Sequence, residues 1–301
     1  MTWPLLLIVW LCWGLSYPFM AWTLEAMDLI TARLLANAGA GTLLLLLCLR
    51  APGRRILPHR DEWPGVLVLS LLIMVVFPFA LIAGVMLVGP GQAAILNYTM
   101  PLWASLLAVP VLGERLDRRT LMALSLGLAA VLLVLAGTMG PEGPSGLGVA
   151  LGLAAGATFG AGTVLSKKLR FRSPVLLTTA WQLLLGTPAA FAVWLLLYDH
   201  TYLHPDAWRG LFGLFYMIVF ANALAYAAWF PVLGRLKASV ASLSLLVVPC
   251  LGVASSALLV QRQIGAFDVA ALVCVLGAIA LVIRRPAAPQ TAAEKTRRQT
   301  G

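Results

Sequence analysis

Ten apolar runs, most of them about 20 residues long, follow one another along this chain with short charged or Pro/Gly-rich segments between them. Each is long enough to cross a bilayer core of about 30 Å. Backbone in that core must satisfy its own hydrogen bonds, and a helix does so within one segment. The runs fall roughly at residues 3–22, 29–49, 65–88, the Pro101 run that follows Gly89-Pro90-Gly91, 121–137, a run starting after PEGPSG at 141–146, 174–198, 210–233, the Pro249 run and 267–283. A soluble chain could not bury a composition that is 61% hydrophobic and 11% charged. The expected fold is therefore an all-α integral membrane protein with ten transmembrane helices. The first run has no basic n-region and no small-residue cleavage site, so it is expected to remain as a helix.

The chain also repeats itself. A shift of 148 positions lays Gly89–Leu116 on Lys237–Ile264, with Pro101 on Pro249 and Ala93 on Ala241. The same shift lays Trp13-Gly14 on Ala161-Gly162. One offset serving distant segments points to duplication, at a period far too long for a solenoid. Residues 1–140 and 141–285 form the two expected five-helix repeats, and 286–301 a basic, disordered cytoplasmic tail.

Charge sets the orientation. With the N-terminus in the cytoplasm, the inner loops and tail hold 18 of the 21 Lys and Arg residues. Arg33, Arg209 and Arg262 remain outside. This is the positive-inside bias, and it accounts for the net charge of +10 without a nucleic-acid partner. Five spans per half is an odd number, so the second repeat is inverted relative to the first. Both termini are then cytoplasmic, in an inner-membrane protein that meets lipid bilayer and a small-molecule solute as monomer or weak homodimer.

Polar and aromatic residues inside the spans mark the site candidates. Trp13 and Tyr17 share a face of span 1 beside Gly14. Asn97, Pro101 and Ser105 share a face of span 4. Asn97 either serves the carbonyl that Pro101 frees or meets a solute. Arg33 and Asn37 share a face of span 2, where Arg33 either snorkels to the interface or serves a site. The two halves agree in prolines and small residues but differ in polar ones: Asn97-Tyr98 falls on Leu245-Leu246, and Asn222 and Tyr226 fall on Met74 and Pro78. Scaffold positions should recur between repeats, whereas solute contacts need not. The expected lining is thus Trp13, Tyr17, Asn97, Tyr98, Trp181, Gln182, Asn222 and Tyr226, with helix kinks at Pro101 and Pro249. Amides would bond a solute's polar groups and rings would cover its apolar part.

Other chemistry is weakly supported. Cys12, Cys48, Cys250 and Cys274 lie in apolar spans without metal-site spacing, and His200 and His204 lie in a polar loop. The glycines at 148, 152, 156 and 160 are spaced for tight helix packing. No His, Asp or Glu occupies a span centre, so the chain is not expected to be an enzyme or to carry a cofactor or metal.

The opening WLCWGLSYPFM, the span 4 pattern from Pro101 to Leu112-Gly113-Glu114 and the run NALAYAAWFPVLGRLKASVASLSLLVVP resemble the drug/metabolite transporter superfamily, in its ten-helix EamA-like branch. The resemblance covers the chain to about Arg285. Gln261-Arg262 stands where the second half commonly repeats Gly-Glu, so no role passes to that position. The resemblance implies a central cavity among spans 1–4 and 6–9, spans 5 and 10 outside it, and transport of amino acids or related metabolites, probable export included. Without a titratable group at midplane, the expected mechanism is alternating access as a facilitator or exchanger. A proton-coupled exporter, a channel and a scaffold subunit remain the alternatives.

Overall fold

The computed structural model describes residues 2–50, 55–138, 145–197, 207–259 and 266–283. His200, His204, the Gln261-Arg262 pair and residues 286–301 lie outside them. Every regular element among the described residues is helical. Six runs are long and apolar enough to cross a membrane: Trp3–Ala26, Leu29–Arg50, Arg60–Val88, Gly146–Lys168, Val175–Leu196 and Trp208–Arg235. Met100–Leu112 and Ala238–Gly252 are shorter apolar helices. Leu7, Leu46, Leu71, Met86, Leu106, Leu132, Leu195, Phe215 and Leu258 are among many large apolar side chains that stay exposed, as a lipid-facing surface requires.

Several spans are interrupted. The first is α1 (Trp3–Gly14) and α2 (Ser16–Ala26), parted at Leu15. The second is α3 (Leu29–Arg50). The third is α4 (Trp63–Leu69), a π-helical stretch at Ser70–Val76 and the first part of α5 (Phe77–Asn97). After a break at Tyr98-Thr99 come α6 (Met100–Leu112) and α7 (Arg118–Thr138). The second half contains α8 (Gly146–Lys168), α9 (Val175–Leu197) and α10 (Trp208–Tyr216), then a π-helical stretch at Met217–Leu224. It closes with α11 (Ala225–Arg235), α12 (Ala238–Ser244), α13 (Val247–Leu259) and α14 (Ala266–Ile283). The 148-residue shift carries Ser70–Val76 onto the second π stretch and Tyr98-Thr99 to within a residue of the Leu245-Leu246 break.

Packing on the glycine row of α8 traces the chain. Ile73 lies against Gly162, Gly84 against Gly152 and Val88 against Gly148, so this arm runs antiparallel to α8. Leu96 then lies against Gly152, Thr99 against Gly156 and Ala104 against Gly160, a parallel arm. The chain therefore doubles back between Val88 and Leu96, so α5 contributes to both arms. The glycines allow both arms to meet the α8 backbone.

The prolines expected to kink spans 4 and 9 stand at restarts. Pro101 is in the first turn of α6, and Pro249 is the third residue of α13. Proline has no amide hydrogen to satisfy there, so it fits a first turn. The main core draws on both halves, including Val9, Leu44, Ile73, Phe159, Leu183, Trp229 and Leu245. A separate cluster joins Ala123, Leu124 and Ala130 of α7 to Ala278 of α14 and to Leu243 and Leu246. Thus α7 and α14 pack on one another beside the main core.

Candidate functional site

Aromatic rings meet where the interrupted spans converge. The Trp13 ring lies 5.4 Å from Tyr226, 5.8 Å from Trp229 and 6.1 Å from Phe159, and Phe77 lies 5.0 Å from Phe159. The Trp13 indole N–H donates to the Ala221 carbonyl at 2.9 Å. That carbonyl belongs to the π stretch, where the wider turn disturbs the usual helical pairing. Tyr17 lies past the Leu15 interruption and its hydroxyl is hydrogen-bonded to that of Tyr98, in the break of span 4. A Cβ on Gly252 would stand 2.7 Å from the Tyr17 ring, so this glycine lets α13 approach span 1.

Several polar atoms within the spans are buried without partners. Asn37 is fully buried, and neither its Oδ1 nor its Nδ2 has a partner. Asn97 Oδ1 and Gln182 Oε1 are likewise buried and unpartnered. Buried polar groups are normally hydrogen-bonded, which sets these atoms apart. At the break, the Thr99 N–H and hydroxyl both donate to the Leu96 carbonyl, at 3.2 and 2.7 Å.

Two expected lining residues have other partners. Trp181 is not brought to the cluster: its indole donates to the Ile56 carbonyl at 2.7 Å, and its ring meets Trp63 edge-on at 5.1 Å. The Asn222 amide donates to the Met217 carbonyl at 2.8 Å, inside the π stretch. Arg33, left open on sequence grounds, does not snorkel. Its Nε and Nη2 are buried, and the guanidinium lies close to Tyr226 of the other half.

Buried carboxylates join the halves at one end of the bundle. Glu114 accepts from the Ala238 N–H at 2.6 Å, the Ser239 N–H at 3.3 Å and the Ser239 hydroxyl at 2.8 Å. It thereby caps the start of α12 and pairs with Lys167 at 3.5 Å. Gly113 aims it there: this residue has φ +66, a left-handed helix end that glycine adopts without strain. Glu62 accepts from the backbone N–H groups of Arg172, Ser173 and His59 and from the Ser173 hydroxyl. Residues 167–173 touch both carboxylates, so both latches lie at the same end. The far end, about 35 Å away along α9, is closed by rings instead: Phe19 stacks on Tyr216 at 4.0 Å, and Arg209 lies over Trp22.

The model of the EamA-like transporter family matches residues 2–136 and again 146–284. The chain belongs to the EamA-like transporter family. It is 26% identical over 263 residues to an uncharacterized transporter, YoaV, of Bacillus subtilis, covering 85% of this chain and 87% of that one. It is 28% identical over 183 residues to a probable amino-acid metabolite efflux pump of Escherichia coli, covering 58% and 60%. A similar pump of Salmonella typhimurium is 26% identical over 197 residues, covering 63% and 66%. A solved protein structure shares the fold with TM-score 0.77 at 19% identity, over 99% of this chain and 98% of that one. The family and these relatives are transporters, not enzymes. Family and apolar helices together make this EamA-like protein a multi-pass inner-membrane protein.

Proposed function

We propose that this EamA-like protein is a carrier that moves a small amphipathic metabolite, an amino acid or a related compound, by alternating access and in the direction of export. The observation that carries the reading is the ring cluster at the broken spans, in a protein that also buries unpartnered amides. A solute there gains ring contact for its apolar part and hydrogen bonds for its polar part. Discontinuous helices supply such groups at the bilayer midplane of other transporters. The probable efflux pumps among the relatives favour an amino-acid-like solute.

In this reading ten spans form two inverted five-helix repeats, residues 1–140 and 141–285, around a central cavity, with both termini cytoplasmic. The recurrence of π stretch and break at one offset supports the duplication. The carboxylate latches would be the cytoplasmic closure and the rings at the far end the outer one. Rocking one repeat against the other would open them in turn. No described span centre holds an acidic or histidine side chain, which supports a facilitator or exchanger over proton coupling.

A solute-library uptake screen in proteoliposomes tests this. Saturable uptake of amino acids or close relatives is expected above protein-free vesicles. Flux that fails to saturate, or confinement of uptake to solutes of another class, would contradict it.

A further inference from the structure

Arg33 sits one helical turn from Asn37 on α3. Guanidinium stays protonated in proteins, so this is a permanent charge among apolar helices. Its Nε and Nη2 are both buried with no partner. Those two nitrogens form one edge of the guanidinium, the geometry that grips both oxygens of a carboxylate at once. Neither the Lys167–Glu114 nor the Arg172–Asp61 ion pair involves Arg33. The carboxylate closest in sequence, Asp28, is occupied by the Ile30 and Thr31 N–H groups and the Thr31 hydroxyl. Arg33 is half-buried, and a charge within a membrane span that lacks a counter-charge is unfavourable and marks solute or ion sites.

We infer that the free edge of Arg33 is an anion site within the transport pathway and takes the carboxylate of the solute. This rests on the carrier reading above and adds a chemical requirement to it. Tyr226 lies beside the guanidinium, and its ring is 5.4 Å from that of Trp13, so the carboxylate would sit beside the ring cluster that covers the solute's apolar part. Asn37, whose amide has no partner, presents an acceptor to an ammonium group and a donor to a carboxylate. Arg33 has no charged equivalent in the other half: the 148-residue shift lays it on Trp181, whose indole is engaged by Ile56. The site is therefore asymmetric between the repeats.

The test is ligand-dependent thermal stabilisation of the purified full chain in detergent. The probes are leucine, phenylalanine and threonine, their carboxamides, and the deaminated acids 4-methylpentanoate and 3-phenylpropanoate. A bidentate charged contact predicts that carboxylates stabilise at about tenfold lower concentration than amides. Arg33→Gln should abolish that preference, and Arg33→Lys should keep part of it. Should Arg33→Gln not fold, the wild-type ratio and Arg33→Lys still decide. Equal effects of acid and amide on the wild type, a preference that survives Arg33→Gln, or no response to any carboxylate would each overturn the anion site. A response to the deaminated acids but not to the amino acids would support the site and reject the amino-acid reading of the carrier.

Discussion

Asn97 and Thr99 stand two residues apart in span 4 and have different tasks. Thr99 satisfies the Leu96 carbonyl and accepts from the Trp103 indole at 3.1 Å, whereas Asn97 Oδ1 is left over. Asn97→Ala is therefore expected to reduce transport with little change in melting temperature. Thr99→Val removes two hydrogen bonds and should lower stability by about 1–3 kcal/mol in a thermal unfolding assay. The reverse pattern would return Asn97 to a backbone role. Helical spacing could single out Asn97, because periodicity reports which residues share a face. It does not report which of two neighbours reaches a carbonyl. Depth along a span is equally invisible in a uniformly apolar run, so Trp181 looked like Trp13 although its indole bonds a loop carbonyl. The two unpartnered nitrogens of Arg33 could not be read either, since a sequence does not show what packs around the head of a long side chain.

Elements here are fixed by close backbone approach and by caps supplied from elsewhere. A Cβ on Gly160 would stand 2.8 Å from the Ala104 nitrogen and 3.0 Å from the Met100 carbonyl, where neither neighbour can rotate away. Gly160→Ala should destabilise by about 1–3 kcal/mol. Gly146→Ala, which meets nothing within 4 Å, is the matched control and should be near neutral when both are followed by thermal unfolding. The glycine spacing was legible in the sequence, and its partner helices were not. Glu114 carries a second element-level expectation. Its removal leaves α12 uncapped and strands buried donors, whereas Lys167 is partly exposed and adds only a screened ion pair. Glu114→Ala should therefore cost at least about twice what Lys167→Ala costs, near 2–3 kcal/mol. Similar losses would assign the latch to the ion pair instead. The π stretches had no sequence signature, because a single extra residue in a turn leaves no mark on a run that is apolar all round.

At the scale of the molecule, the duplication, the apolar runs and the charge asymmetry all stand in the sequence, because bilayer thickness and loop charge act on whole segments. The orientation has its own test. Cysteines introduced at Gly143 and His204, which lie outside the described residues, should react with an impermeant thiol reagent from outside intact cells, and cysteines at Gly53 and Ala292 should not. Reversed labelling would contradict both the charge argument and the inverted halves. The central claim, a carrier that alternates without a proton, is tested most directly by counterflow in proteoliposomes preloaded with unlabelled solute, at equal pH on both sides. The account predicts transient accumulation of labelled solute above its equilibrium level, with little change when an uncoupler is added. Absence of counterflow together with uphill accumulation driven by a pH gradient alone, for a solute whose charge is constant in that range, would contradict it.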